Sequence, residues 1–213
     1  MDREQGSPVR PGRGRRPTAV VRAAVLASAS DLMFDAGVPA VTFDKVAAQA
    51  GVSRTTLYKW WPTPGALAAE AYFARTEGAL EFPDTGDIRA DILTQLRAFV
   101  GVLTDQGGGR VIAELIGAAQ TDAVLSAAIS TGYTRPRRQL AVDYFERARE
   151  RGQLRPDVDL GILVDQLWGA CYNRLLVPDE PITTEFADAL VENTLRGAAS
   201  PEYRARLEAP RHP

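Results

Sequence analysis

A chain of 213 residues, 45% apolar and 24% charged, is long enough for one large or two small domains and has the balance of a globular protein in water. One cysteine excludes an intrachain disulfide; one histidine, His212 in the C-terminal tail, argues against a Ser-His-Asp or Cys-His catalytic site and leaves no Cys/His zinc cluster. The net charge of −2 conceals a split: residues 1–60 carry nine Arg or Lys against five Asp or Glu (+4), and the remaining 153 carry 16 against 22 (−6), the pattern of a basic contact end on a body with another task.

No run of about 18 apolar residues occurs, so no membrane helix is expected. The basic N-terminus is followed by no apolar h-region of the secretory type. A single cysteine fits a reducing cytoplasm. No metal or cofactor is expected.

Residues 1–17 are rich in Arg, Gly and Pro, a composition that stays disordered in isolation. Arg13, Arg15 and Arg16 on this flexible basic arm can enter a narrow minor groove or simply solubilise the chain. A helix is predicted over 18–36, with Thr18 as N-cap, Gly37 as its stop, and Val25, Ala29 and Leu32/Met33 as its inward stripe. Thr42 can cap a second helix, with Asp44 in the first turn where the helix dipole favours it.

The run Val46–Trp60 reads as two short helices, about 42–50 and 53–60, meeting at a tight turn. Gly51 suits the reversal because it reaches positive φ without steric cost, and Ser53 is placed as the next N-cap. Small Ala47 permits close approach, while Val46, Val52 and Leu57 close a shared core. This is a helix-turn-helix, whose second helix can enter a DNA major groove. A helical hairpin packed only for stability needs the same glycine and alanine. The outward face favours DNA, with Arg54, Thr55, Thr56, Tyr58 and Lys59 in six residues.

Trp61-Pro62 ends the reading helix. Thr63 can cap the next, over 64–80, with Pro64 at its first position and Ala68, Ala71, Tyr72 and Arg75 spaced to join head to body. The Phe82–Gly86 segment breaks the pattern, and the domain boundary is placed there. The body reads as helix throughout, over 87–104, 110–120, 122–131, 136–151, 159–176 and 183–196. A Gly-rich loop is expected at 106–109, and a fraying tail after Gly197 with one short helix near 202–207. That division gives an arm (1–17), a head with its connecting helix (18–82), a body (83–197) and a tail (198–213).

The Thr42–Ser53 run, with Thr56-Leu57-Tyr58-Lys59 and Trp61-Pro62-Thr63, resembles the tetracycline-repressor (TetR) family of transcription regulators. Arg151–Asp159 leading into an apolar helix that ends Tyr172–Leu176 resembles the bodies of one actinobacterial subgroup of that family. The resemblance implies an all-α homodimer: a three-helix DNA-binding head, and a helical bundle that binds a small effector and dimerises. It further implies phosphate contacts from Thr42 and Tyr58, base-edge contacts from Arg54, Thr55 and Thr56, and Lys59 near bases or backbone. Arginine can donate twice to guanine, threonine methyls suit thymine, and Lys45, Tyr58 and Lys59 can hold phosphates without reading sequence. Two positions depart from the pattern. Pro64 stands where the family often has a phosphate-touching lysine, leaving that contact to helix N–H groups. Trp60 replaces a commonly polar residue, to pack on sugar-phosphate or to extend the small core.

In the body, Leu160, Leu163/Val164, Leu167, Cys171 and Leu175, with Phe186, Leu190 and Leu195, are expected at a four-helix dimer face, Gly161 and Gly169 permitting close approach. The bland alternative is monomer core. An effector cavity is expected with Phe99, Leu103, Ile116, Tyr144, Trp168 and Tyr172 as lining and Glu114 and Gln166 as polar anchors, suited to an apolar or aromatic molecule. The leading reading is a ligand-responsive regulator of a double-stranded DNA operator, usually a repressor. A constitutive dimeric DNA-binding protein would share the head but have a solid body; a helical enzyme would need an acid-base constellation, and none is visible.

Overall fold

A computed structural model describes residues 17–105, 107–177 and 179–208. Eleven α-helices are present among them: α1 Thr18–Ala36, α2 Phe43–Ala50, α3 Arg54–Trp60, α4 Pro64–Thr76, α5 Ile88–Thr104, α6 Gly108–Ala119, α7 Ala123–Ile129, α8 Arg135–Glu150, α9 Leu160–Leu176, α10 Thr184–Ala198 and α11 Pro201–Glu208. The expected all-α class holds; the only β pairing among the described residues is one isolated bridge, Leu154 with Ala199.

Local chemistry sets most helix starts. Thr42, Ser53 and Thr63 accept from Lys45 N at 3.3 Å, Thr56 N at 3.2 Å and Ala66 N at 3.1 Å. Asp87, Asp122, Asp159 and Thr183 do the same for α5, α7, α9 and α10. Each cap satisfies an otherwise orphaned N–H and is worth about 1 kcal/mol. At α1 the cap differs from expectation. Pro17 takes that position without a side-chain bond, and Thr18 is already inside the first turn rather than at the extended residue before it, from which a side chain caps.

Three joints differ from the sequence reading. The glycine loop is shorter than expected, because α6 already starts at Gly108. A Cβ on Gly108 or Gly109 would lie 2.2 Å from the carbonyl oxygen of Val102 or Leu103, so glycine is what lets α6 start hard against the end of α5. The helices predicted over 122–131 and 136–151 form one continuous rod through a π turn, Ser130–Thr134. Pro136 has no N–H and its ring crowds the carbonyl four residues back; widening the coil at that point absorbs it without a break. Residues 198–208 are docked rather than frayed. Ser200 caps α11, and the Tyr203 hydroxyl, buried, donates to Asp87 Oδ1 at 2.9 Å.

α1–α3 pack around Val25, Met33, Phe43, Val46 and Leu57. α4 is buried on several sides and packs against both α1 and α7, then tightens into a 3₁₀ turn, Glu77–Leu80. The segment before α5 is tied down by its carboxylates. Asp91, 1% exposed, accepts from Thr85 N and Oγ1 and from the Tyr144 hydroxyl. Asp84 receives Arg147 and Arg151. No helix among the described residues is long and apolar enough to cross a membrane.

Candidate DNA-reading head and body cavity

Gly51, at φ +66°, ends α2, and Val52 N–H returns to the Ala47 carbonyl at 3.0 Å. That left-handed reversal lays α3 across α2, with Leu57 fully buried as its anchor. Burying one side of a seven-residue helix forces the others outward. Arg54, Thr55, Tyr58 and Lys59 are exposed, with Thr56 half-buried; Lys45 joins them from α2. Tyr58, 63% exposed, is steadied edge-on against Phe43 with centroids 4.7 Å apart. The Thr42 and Ser53 oxygens are engaged as caps, and the Ser53 and Thr56 hydroxyls lie 2.9 Å apart. Thr63 is half-buried as the α4 cap behind Pro64. Arg13, Arg15 and Arg16 lie outside the described residues.

The structure adds a contact at the tip of the reading helix. Arg54 Nη1 donates to Asp44 Oδ1 at 2.7 Å, and this hydrogen bond and charge hold the guanidinium more firmly protonated. Only one of its donors is used. Trp60 stacks edge-on against Trp61 at 5.5 Å and extends the small core. Trp61 is buried, donates through Nε1 to Glu70 at 2.8 Å, and lies under the Arg22 guanidinium, which itself pairs with Glu70 at 2.6 Å. One carboxylate thus ties α1, the end of α3 and α4. Its sequence signal was a lone charge, Glu70, in the apolar run Ala66–Phe73, opposite the lone Arg22 in residues 20–29.

A second tie joins head to body. Glu114 Oε2 accepts from Val38 N at 2.7 Å, its Oε1 accepts from Arg110 at 2.9 Å, and Arg110 Nη2 donates to the Phe34 carbonyl at 2.8 Å. Glu114, expected as a ligand anchor, is therefore spent on gripping the end of α1.

The body holds a cavity of 270 Å³ between α5, α6, α8 and α9. Of the expected lining, Phe99, Ile116, Trp168 and Tyr172 face it. Three do not. Leu103 is buried core one turn past Phe99, and Tyr144 lies behind Phe82, its hydroxyl committed to Asp91. Gln166 points to the opposite side of α9, beside Leu190 and Asn193. A buried polar group at the cavity is Gln95, 1% exposed, whose Oε1 accepts from Trp168 Nε1 at 2.9 Å; the Arg138–Asp165 pair also lines it. Phe73, Tyr133 and Arg137 also line it. Burial pushes the hydroxyls of Tyr133 and Tyr172 upward, so both stay protonated donors.

The expected dimer stripe is corrected. Leu160, Leu163, Val164, Leu167, Cys171 and Leu195 are all buried within one chain, against α5, α8 and the α9–α10 contact. Burial also pushes the Cys171 thiol up to about 12. The face of α9 left uncovered carries Ile162, Gln166, Gly169, Asn173 and Leu176 at three- and four-residue steps. On α10, Leu190, Asn193 and Gly197 continue it.

Known proteins match this architecture along most of its length. The pattern described as "Tetracyclin repressor-like, C-terminal domain" matches residues 82–194, and that described as "Bacterial regulatory proteins, tetR family" matches residues 25–71. The uncharacterized HTH-type transcriptional regulator YdeS of Bacillus subtilis (strain 168) is 35% identical over 185 residues, 87% of this chain and 93% of its own. The DNA-binding transcriptional repressor TetR of Mycobacteroides abscessus is 29% identical over 177 residues, 81% of this chain and 90% of its own. The crystal structure of the TetR family transcription regulator SCO0332 superimposes with a TM-score of 0.78 at 56% identity, covering 83% of this chain and 97% of that one. These relatives are regulators rather than enzymes, and the chain belongs to the TetR family of DNA-binding transcriptional regulators.

Proposed function

We propose that the protein is a ligand-responsive repressor in the cytoplasm that holds a palindromic operator as a homodimer and releases it when a small molecule enters the body cavity. The observation that carries this reading is the cavity's position. Phe73 of α4 and Ile112 and Ile116 of α6 form its wall, and these two helices also hold the head, through Glu70 and through Arg110–Glu114. A ligand that reshapes the wall therefore acts on the elements that aim α3. Its differential affinity for the two head settings is the coupling energy. A constitutive binder would have no use for a hollow body.

Arg54, Thr55 and Thr56 would read base edges, while Thr42, Lys45, Ser53, Tyr58, Lys59 and Thr63 would position the head on phosphates. Two heads about 34–36 Å apart would reach successive major grooves. The uncovered α9–α10 face, with open space over Gly169 and Gly197, is the surface we assign to the dimer. Selection from a randomised duplex pool, followed by sedimentation of the free and bound protein, tests this. A palindromic consensus bound by a dimer supports it. A monomer at micromolar concentration, or binding without sequence preference, overturns it.

A further inference from the structure

Besides the cavity, the body carries an open groove of 910 Å³ between α4 and the α7–α8 rod, floored by Ala66, Val124, Ala127 and Leu140. The two spaces share three lining residues: Phe73, Tyr133 and Arg137. Phe73 and Tyr133 stack face to face, centroids 3.6 Å apart and rings within 6° of parallel, as a partition between the spaces. Tyr133 belongs to the π turn, a local widening of the helical ladder of the kind found frequently at functional sites.

Arg137 faces both spaces from beside that partition. It is half-buried, and its guanidinium donates to a neutral acceptor, the Leu80 carbonyl. No carboxylate among the described residues comes within ion-pair distance of it. The other charges nearby are accounted for. Arg138 is neutralised by Asp165 at 2.5 Å, and Glu70 is saturated by Arg22 and Trp61. Glu77 shares the outer groove with Arg137 without forming an ion pair with it and is absent from the inner cavity. The junction is thus left with one positive charge flanked by the Tyr133 and Tyr172 rings, against apolar walls from Phe99, Ile116 and Trp168. A partly desolvated cation without an anion is costly, and a bound anion removes that cost.

Resting on the effector reading above, we propose that the effector is a small organic acid. Its apolar or aromatic body occupies the inner cavity, and its carboxylate pairs with Arg137 after the Phe73–Tyr133 stack parts to admit it. A volume of 270 Å³ lies at the small end of ligand sites, which suits roughly ten to fifteen heavy atoms.

Three probes share one body and differ in charge: 4-phenylbutanoate, its primary amide and 4-phenylbutylamine. Calorimetric titration of the full chain should give the acid at least tenfold tighter binding than either of the others. Arg137→Met should erase that preference and leave amide affinity unchanged, whereas Arg137→Lys should keep part of it. Melting curves check that both variants fold. Amide or amine binding as tight as the acid's overturns the assignment, as does an equal loss for acid and amide in Arg137→Met, or binding by none of the three at millimolar concentration. Operator-bound anisotropy in the same titrations separates the two readings. Acid selectivity with no release of DNA removes the effector reading alone, and release by an uncharged compound without acid selectivity removes the acid site alone.

Discussion

The head and the body solve one problem, holding short helices together, by different means. In the head α2, α3 and α4 are each started by their own Thr or Ser, one glycine turns α2 into α3, and the core is a handful of side chains around Leu57. In the body the helices are long and apolar on several sides, and their arrangement is decided by joints and by buried polar ties such as Asp91–Tyr144 and Gln95–Trp168. The head is therefore a rigid reader with few alternatives, whereas the body keeps a space that can be occupied.

Removing the head's anchor makes the largest break in that comparison. Leu57→Ala should cost about 2–5 kcal/mol and abolish operator binding, because Leu57 is the one fully buried side chain of α3. Ile116→Ala, at the edge of an existing cavity, should fall at or below the low end of that range. Denaturant midpoints compare the two. The Cys171 thiol, buried and raised to about 12, is almost wholly protonated at pH 8 and should resist alkylation there. If head and body are separable near residue 83, Leu57→Ala leaves Cys171 protected. Rapid labelling of that variant would mean a single cooperative unit.

The tie between the two regions comes next. Glu114→Ala strands the Val38 N–H and frees Arg110, at an expected cost of about 1–3 kcal/mol. Its distinguishing effect is on coupling: operator affinity should fall severalfold while probe binding to the body is unchanged. An equal loss of both would make Glu114 merely structural.

Side chains on the reading face should act one by one. Arg54→Ala or Thr55→Ala should relax base preference by about 1–3 kcal/mol per lost contact, while Lys59→Ala should weaken all duplexes alike and lower the salt slope by about one. Sequencing of selected pools decides between the two patterns.

What was legible in the sequence follows from the same contrast. The head's signals are local: Thr42, Gly51, Ser53 and Thr63 act within three or four residues of themselves, so spacing alone placed α2, α3 and the start of α4. The body's helices were legible as helices, but α9 carries apolar residues all round. Periodicity could not say whether Leu163 or Ile162 faced a partner, and the choice fell to the long-range fit of α5 and α8. Glu114 announced only that a polar group on an apolar helix needs a partner, and Gln95, between Thr94 and Arg97, gave no signal at all. Which partner depended on contacts 76 and 73 residues away.

The smallest expected effect probes the ion pair at the tip of the reading helix. Asp44 lies ten residues before Arg54 and holds it in the free protein. Both side chains are well exposed, so breaking the pair should leave the melting temperature unchanged. On DNA its consequence has a definite sign. Asp44→Asn removes a negative charge beside the phosphates and frees an Arg54 donor, so every duplex should bind more tightly, non-cognate ones included. If Asp44 also orients Arg54 toward one base, cognate affinity gains less than non-cognate affinity and the ratio between them falls. Equal gains would restrict Asp44 to electrostatics; a loss of affinity would show that the ion pair itself is the DNA-binding form of the head.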